Sequence, residues 1–226
     1  MEEDQTNMFG FMQDNYFMYP GGYQQMFPMV TVPMNMNGFQ MMPYMPNMMM
    51  NMGMGDPSGS QLYGPKYNEF MALPTETVLK DFDEYVLDQQ GCKFLQARLE
   101  NERVEGDFFQ GVYNLLTKKL IEYSEDQFAN YLCQKLIELC DVQQLSYITS
   151  ILLPTLVEMS SSPHGTRVIQ KLVETVKDTE TVQKILNELK GNVIDLTFDS
   201  NGNHVVQKSI SHFDTKECDF IFEEIC

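Results

Sequence analysis

Residues 200–212 read SNGNHVVQKSISH, and this stretch has three earlier counterparts in the chain. The counterparts are DQQGCKFLQARLE from Asp88, DQFANYLCQKLIE from Asp126 and SPHGTRVIQKLVE from Ser162. In each stretch a Gly or Ala precedes a five-residue unit that ends in glutamine: CKFLQ, NYLCQ, TRVIQ or NHVVQ. The four glutamines are 38, 36 and 37 residues apart along the chain: Gln96, Gln134, Gln170 and Gln207. Such an even period indicates a repeat protein.

The segments between these stretches have helical patterns. Residues 178–190 place Val182, Ile185 and Leu189 on one face, and Gly191 follows as a stop signal. A short helix is predicted at 192–198, and helices at 107–116 and 143–153 fill the same place in earlier repeats. No alternating strand pattern persists. The sequence therefore predicts an all-α fold in which three-helix repeats stack into a curved α-solenoid.

Apolar residues recur at fixed places within the four matched stretches and predict the core of the array. They are Phe94, Leu95, Leu99, Leu132, Leu136, Ile137, Val168, Ile169, Leu172, Val173, Val205, Val206 and Ile210. The remaining positions of each unit are polar, and the first and fifth lie one helical turn apart on one face. A single such glutamine is commonly structural, but four in register favour a shared function.

The strings GNHVVQK, TRVIQK and ANYLCQK resemble the repeat signatures of the Pumilio (PUF) family, and the resemblance covers residues 75–226. It implies that one helix per repeat lines a concave surface and that each repeat binds one base of single-stranded RNA. The implied base-edge contacts are Cys92, Gln96, Asn130, Gln134, Thr166, Gln170, Asn203 and Gln207. The implied stacking residues are Lys93, Tyr131, Arg167 and His204. The implied phosphate contacts are Arg98, Lys135, Lys171 and Lys208.

The family's base code can be carried over unit by unit. Asn130 with Gln134, and Asn203 with Gln207, resemble uracil readers. Cys92 with Gln96 resembles an adenine reader, and Thr166 with Gln170 does so with a less usual first residue. Lys93 departs from the Arg or aromatic residue that usually stacks. Because these arrays run antiparallel to their RNA, the implied core is 5′-UAUA-3′.

The resemblance also implies a role and partners. We expect post-transcriptional repression of mRNA through 3′ untranslated regions in the cytoplasm, with repressor or deadenylase-type protein partners. The sequence shows no catalytic constellation, phosphate loop or zinc spacing among its five Cys, so no enzyme, cofactor or metal is predicted. Neither a membrane span nor a small-molecule substrate is expected. The alternative is a protein-binding helical scaffold whose array lacks useful RNA affinity.

The first 65 residues differ in composition from the rest. They hold 16 of the 18 Met and no Lys or Arg, and they lack any sustained apolar period. Such a segment cannot offset its ordering entropy, which predicts a disordered, low-complexity leader at 1–65. Residues 66–226 would form a partial Pumilio-homology domain, with repeats at about 75–104, 105–140, 141–177 and 178–212. Residues 213–226 resemble the opening of a fifth, so we expect a fragment or a short array.

The net charge of −17 opposes non-specific nucleic-acid binding. The charge is segregated, however. Nine-residue stretches from Cys92, Asn130, Thr166 and Asn203 contain six basic and three acidic residues, so the rest of the chain carries −20. The sequence therefore predicts a basic track on an acidic body.

Overall fold

All regular secondary structure in the described part of the protein is helical. A computed structural model describes residues 65–102 and 106–225. Residues 1–64, which make up nearly all of the predicted leader, lie outside these ranges. No helix in the described ranges is long and apolar enough to cross a membrane. The predicted all-α class is confirmed.

The helices group into successive repeats after a first helix, α1 (Pro65–Met71). The first repeat contains α2 (Thr75–Lys80), α3 (Phe82–Val86) and α4 (Gln89–Asn101). The second contains α5 (Asp107–Lys118), α6 (Leu120–Glu125) and α7 (Ala129–Leu139). The third contains α8 (Val142–Leu152), a 3₁₀ turn (Leu153–Thr155), α9 (Leu156–Ser160) and α10 (Gly165–Thr175). Then come α11 (Thr179–Leu189), α12 (Val193–Phe198), α13 (Gly202–His212) and α14 (Asp219–Ile225).

The third helix of each repeat carries one of the four polar units, and we call α4, α7, α10 and α13 the site helices. Each site helix packs on the next in chain order. A continuous apolar core lies behind them and joins all the repeats. Of the predicted core residues, all are buried except Ile210, which is partly buried. Because each site helix packs on its neighbours, the core also fixes the spacing between successive polar units.

The same side-chain to backbone hydrogen bond occurs at the start of each site helix. The residue three positions before the small residue accepts its backbone N–H: Asp88, Asp126, Ser162 and Asp199 do so at 2.7–2.9 Å. This contact satisfies a helical donor that otherwise has no partner. The small residue itself is required by the middle helix of the repeat. A Cβ added at Gly202 would lie 2.9 Å from the carbonyl oxygen of Leu196, and one at Gly91 would lie 2.5 Å from that of Tyr85.

The outer helices begin and end close to the predicted places. Asp141 caps α8 with a capping box that includes Gln144, and the Asp178 carboxylate accepts from the Thr181 N–H at 2.9 Å. After α11, Gly191 adopts a φ of +78°, which favours glycine and stops the helix. The chain can therefore turn directly into α12 and the last site helix.

Candidate nucleic-acid interface

The four glutamines of the repeated units are coupled to the residue one turn earlier. Each side-chain amide donates to the side chain at the first position of its own unit. Gln134 donates to Asn130 Oδ1, Gln170 to Thr166 Oγ1 and Gln207 to Asn203 Oδ1, each at 3.0 Å. Gln96 donates to Cys92 Sγ at 3.3 Å. The structure thus brings together the pairs that the sequence places one turn apart, and we call this row of polar side chains the site face.

The first residues of the units are held in two different ways. Asn130 and Asn203 donate to the carbonyl of their own helix cap, Asp126 O at 2.8 Å and Asp199 O at 2.7 Å. Because the asparagine N–H is used here, its oxygen is left to accept from the glutamine.

The other two first residues reach forward into the next repeat. Cys92 Sγ donates to Phe128 O at 3.0 Å, and Thr166 Oγ1 donates to Asn201 O at 3.2 Å. Phe128 and Asn201 occupy equivalent positions, each directly before the small residue that opens a site helix. The two modes alternate along the array, although Cys92, Asn130 and Thr166 are themselves buried, at 2%, 2% and 1% exposed.

Exposure of the site face increases along the chain. Gln96 is 4% exposed and Cys92 2%, so the first unit offers little surface. Gln134 and Gln170 are half-buried, and Gln207 is exposed. A ligand therefore meets more accessible amides at α7, α10 and α13 than at α4.

The predicted stacking residues project from the same helices. Tyr131 is 53% exposed, His204 is also exposed, and Lys93 and Arg167 are half-buried. Partial burial and the positive charges of Arg167 and Lys208 lower the pKa of His204 below its ordinary 6.5. The imidazole is therefore neutral near pH 7 and presents an uncharged flat ring.

The three predicted phosphate-contacting lysines are paired with glutamates. Lys135 Nζ lies 2.7 Å from Glu100 and 3.2 Å from Glu138, on the preceding and the same helix. Lys171 lies 3.3 Å from Glu174, and Lys208 also pairs with Glu174 across α13 and α10. Three of the six basic residues of the predicted basic track are therefore paired with acidic residues that the same stretches contribute.

From the sequence, those glutamates were counted only as negative charges and were given no role at the site. Glu100, Glu138 and Glu174 each follow the first residue of a unit by eight positions, a recurrence that could have revealed them. Burial opposes ionisation of Glu174, but the hydrogen bond and charge of Lys208, with Lys171, outweigh it and lower its pKa. The carboxylate stays charged and holds both lysines.

Arg98 differs from the expected phosphate contact. It is 5% exposed, and its guanidinium donates to Leu73 O and Thr75 Oγ1, both at 2.9 Å. It also pairs with Glu102 and lies 4.4 Å from the Phe108 ring centroid. The physical reason is register: Arg98 aligns with the buried Leu136, Leu172 and Ser209, one position after the lysine of the other units.

The cysteines of the described ranges are thiols without disulfide bonds: Cys92, Cys133, Cys140 and Cys218. Burial raises the pKa of Cys92 to about 11 and that of Cys133 to about 12. Such thiols stay protonated and react poorly. No group of three or more metal-ligating side chains occurs within 65–102 or 106–225.

Comparison with known proteins places the repeats in a family. A profile of the Pumilio-family RNA binding repeat matches residues 119–153, 156–190 and 192–226. A Pumilio domain-containing protein of Schizosaccharomyces pombe is 40% identical over 139 residues, which cover 62% of this chain and 20% of that protein. Pumilio homolog 12 of Arabidopsis thaliana is 37% identical over 139 residues, covering 60% of this chain and 23% of that one.

Two solved structures show the same architecture. The Puf4 RNA binding domain, bound to an HO endonuclease RNA 3′ UTR recognition sequence, matches with a TM-score of 0.58 and 37% identity, covering 62% of this chain and 42% of that one. The RNA-binding domain of yeast Puf5p, bound to MFA2 RNA, matches with a TM-score of 0.63 and 30% identity, covering 70% and 43%.

The present chain spans about a fifth of these two curated relatives and less than half of the two solved chains. Each of the three profile matches contains one site helix, α7, α10 or α13. The matched repeats therefore carry the coupled units themselves, and residues 119–226 of the chain consist of Pumilio-family (PUF) RNA binding repeats.

Proposed function

We propose that this chain binds single-stranded RNA through its site face, one base to each unit. The observation that carries the proposal is the fourfold coupling of a glutamine to the residue one turn earlier. In the units of Gln170 and Gln207 one amide N–H is used within the protein, which leaves the glutamine oxygen and a second N–H for a ligand. This pair of groups suits the edge of an unpaired base. The amide of Gln134 also lies within reach of the Asn130 carbonyl, and its oxygen is left to accept from a ligand.

The alternation of the two holding modes supports the proposed order of bases. The units with an asparagine that bonds its own helix cap, Asn130 and Asn203, are the proposed uracil readers. Cys92 and Thr166 both bond forward to the next repeat, and they are the proposed adenine readers. Thr166 thus behaves like Cys92 rather than like the asparagines. The proposed core is 5′-UAUA-3′, read from α13 back to α4.

Stacking would supply much of the affinity. Tyr131 and the neutral His204 present flat faces, and Arg167 can present its guanidinium plane. Each base stacked on such a side chain contributes roughly 1–3 kcal/mol, opposed by the entropy lost on association. Because only four bases are read, we expect micromolar or weaker affinity.

The proposed cellular role is regulation of mRNA through 3′ untranslated regions in the cytoplasm, with repressor or deadenylase-type partners. It is supported by the family and by the RNA 3′ UTR recognition sequence bound to Puf4. No catalytic step is proposed, because the function assigned to the site face is binding.

The alternative function is a scaffold for proteins. It is favoured by the net charge of −17 and by the pairing of Lys135, Lys171 and Lys208 with glutamates. Under this alternative the chain would bind RNA weakly and without regard to base.

A titration of the full chain distinguishes the two functions. A short labelled RNA containing UAUA and an oligo-C of equal length are each titrated at two salt concentrations. The proposed function predicts tighter binding of the UAUA RNA at both salts, and a Gln134→Ala variant should lose the part of the difference that its own unit contributes. Equal affinity for both RNAs would support the scaffold and remove the case for base reading.

A further inference from the structure

The lysines and glutamates at the C-terminal ends of the site helices form a cross-repeat series of ion pairs. Lys135 on α7 bridges Glu100 on α4 and Glu138 on its own helix. Glu174 on α10 holds Lys171 on its own helix and Lys208 on α13. We call these six residues the charge ladder. It links the first repeat to the second and the third to the fourth, beside the site face.

Helical geometry places the charge ladder next to the RNA-reading groups. Lys135, Lys171 and Lys208 each lie four residues after a proposed stacking residue: Tyr131, Arg167 or His204. The glutamates lie four residues after a proposed reading glutamine, as Glu138 does after Gln134. Side chains four apart on a helix project to the same side. A base stacked on Tyr131 or His204 would therefore bring its phosphate close to a ladder lysine.

Partial burial shields the lysines and Glu174 of the ladder when no ligand is present, whereas Glu100 and Glu138 are 53% and 52% exposed. The side chains of Lys135, Lys171 and Lys208 are only 18%, 27% and 24% exposed, and that of Glu174 is 30% exposed. These pairs are therefore less screened by solvent than a fully exposed pair. A phosphate that approaches Lys208 must compete with a carboxylate already in contact.

Resting on the proposed RNA-binding function, we propose that Glu100, Glu138 and Glu174 restrain RNA affinity by holding the ladder lysines away from phosphates. The glutamates contact no base in this account; they act through the lysines. The restraint applies to every RNA alike because phosphates carry no sequence information. Base reading therefore contributes a larger share of the total affinity than in an array with free lysines.

Glu174→Gln tests the proposal in the full chain, since one substitution releases two lysines. Glu180→Gln is the matched control: it removes the same charge and an ion pair with Lys184, 2.7 Å apart, on the outer helix α11. We expect Glu174→Gln to bind both the UAUA RNA and oligo-C about threefold or more tightly at low salt, with the log-affinity slope against log salt steeper by about 0.7 per lysine engaged. Glu180→Gln should match the wild type.

A Glu174→Gln/Lys208→Gln double variant separates release of the lysine from a change in packing. The proposal predicts that it loses much of the gain, whereas a structural effect of residue 174 would persist. The proposal is overturned if Glu174→Gln binds no more tightly than Glu180→Gln, or if the double variant keeps the whole gain. If the wild type does not prefer UAUA over oligo-C, the proposed function is contradicted instead. The comparison of Glu174→Gln with Glu180→Gln stays valid in that case, because it needs no base preference.

Discussion

At the scale of single residues, helical spacing predicted which side chains share a face, but not how their polar groups are oriented. The pairing of Gln134 with Asn130 follows from a separation of four. The forward bond from Thr166 to the Asn201 carbonyl joins residues 35 apart, so only the folded array reveals it. Arg98 shows the reverse error: its charge suggested a surface role, whereas its register placed it among core positions.

Arg98 should therefore be needed for folding rather than for RNA contact. Arg98→Gln removes buried donors to Leu73 O and Thr75 Oγ1 and should lower the free energy of unfolding by roughly 2–4 kcal/mol. Lys171→Gln, whose ion pair is more exposed, serves as the control and should change it by less than about 1 kcal/mol. Urea titration measures both. An Arg98→Gln protein that is as stable as the wild type but binds RNA more weakly would restore the phosphate-contact prediction.

At the scale of helices, the sequence predicted those with clear local signals, such as α11 and the site helices, but it did not mark the short helices α1, α2, α3, α6 and α9. Asp178 and Gly191 mark the ends of α11, and the structure places them at its N-cap and just beyond its end. The caps of the site helices were not predicted as a set, although Asp88, Asp126, Ser162 and Asp199 recur three residues before the small residue. Their contacts are local, at a separation of three residues, so the recurrence was available in the sequence.

The Asp199 cap predicts a pH dependence of stability. Hydrogen bonds from the Gly202 and Asn201 N–H groups lower the pKa of Asp199 below its ordinary 3.8. The folded state thus favours the carboxylate, and this contribution is complete above pH 3.8 and lost as pH falls through the lowered pKa. Asp199→Ala should be about 1 kcal/mol less stable at pH 7, with the difference shrinking near pH 3.

Asp199→Asn is the control for that experiment. Asparagine keeps the acceptor oxygen but carries no charge, so at pH 7 this variant should be less stable than the wild type but more stable than Asp199→Ala, and its difference from Asp199→Ala should not change with pH. Unfolding at pH 7 and pH 3 is followed by circular dichroism. A constant difference between Asp199→Ala and the wild type across this range would show that the carboxylate charge does not contribute.

At the scale of the whole molecule, the repeat period alone predicted the solenoid and its core. The electrostatics could not be predicted as well, because counting charges by stretch does not show that Lys208 pairs with a glutamate of the preceding repeat. The helix at which each repeat begins is also ambiguous in a sequence. The family profile starts its units at the middle helices, at residues 119, 156 and 192, whereas the sequence division starts them at the outer helices.

Exchanging one unit tests whether the units of this chain read bases. Asn203 and Gln207 suit this test because the amide of Gln207 is exposed and coupled to Asn203 at 3.0 Å. In Asn203→Ser/Gln207→Glu the new carboxylate can accept from the N1–H and N2–H₂ groups of guanine, whereas the original amide suits uracil.

The measurement is the relative affinity of the full-length double variant and the wild type for UAUA and GAUA RNAs. We predict that the wild type prefers UAUA and that the double variant prefers GAUA. Both proteins should keep the same preferences at the other three positions, which serve as the internal control. An unchanged preference for UAUA in a folded double variant, or the absence of any preference in the wild type, would contradict base reading by these units.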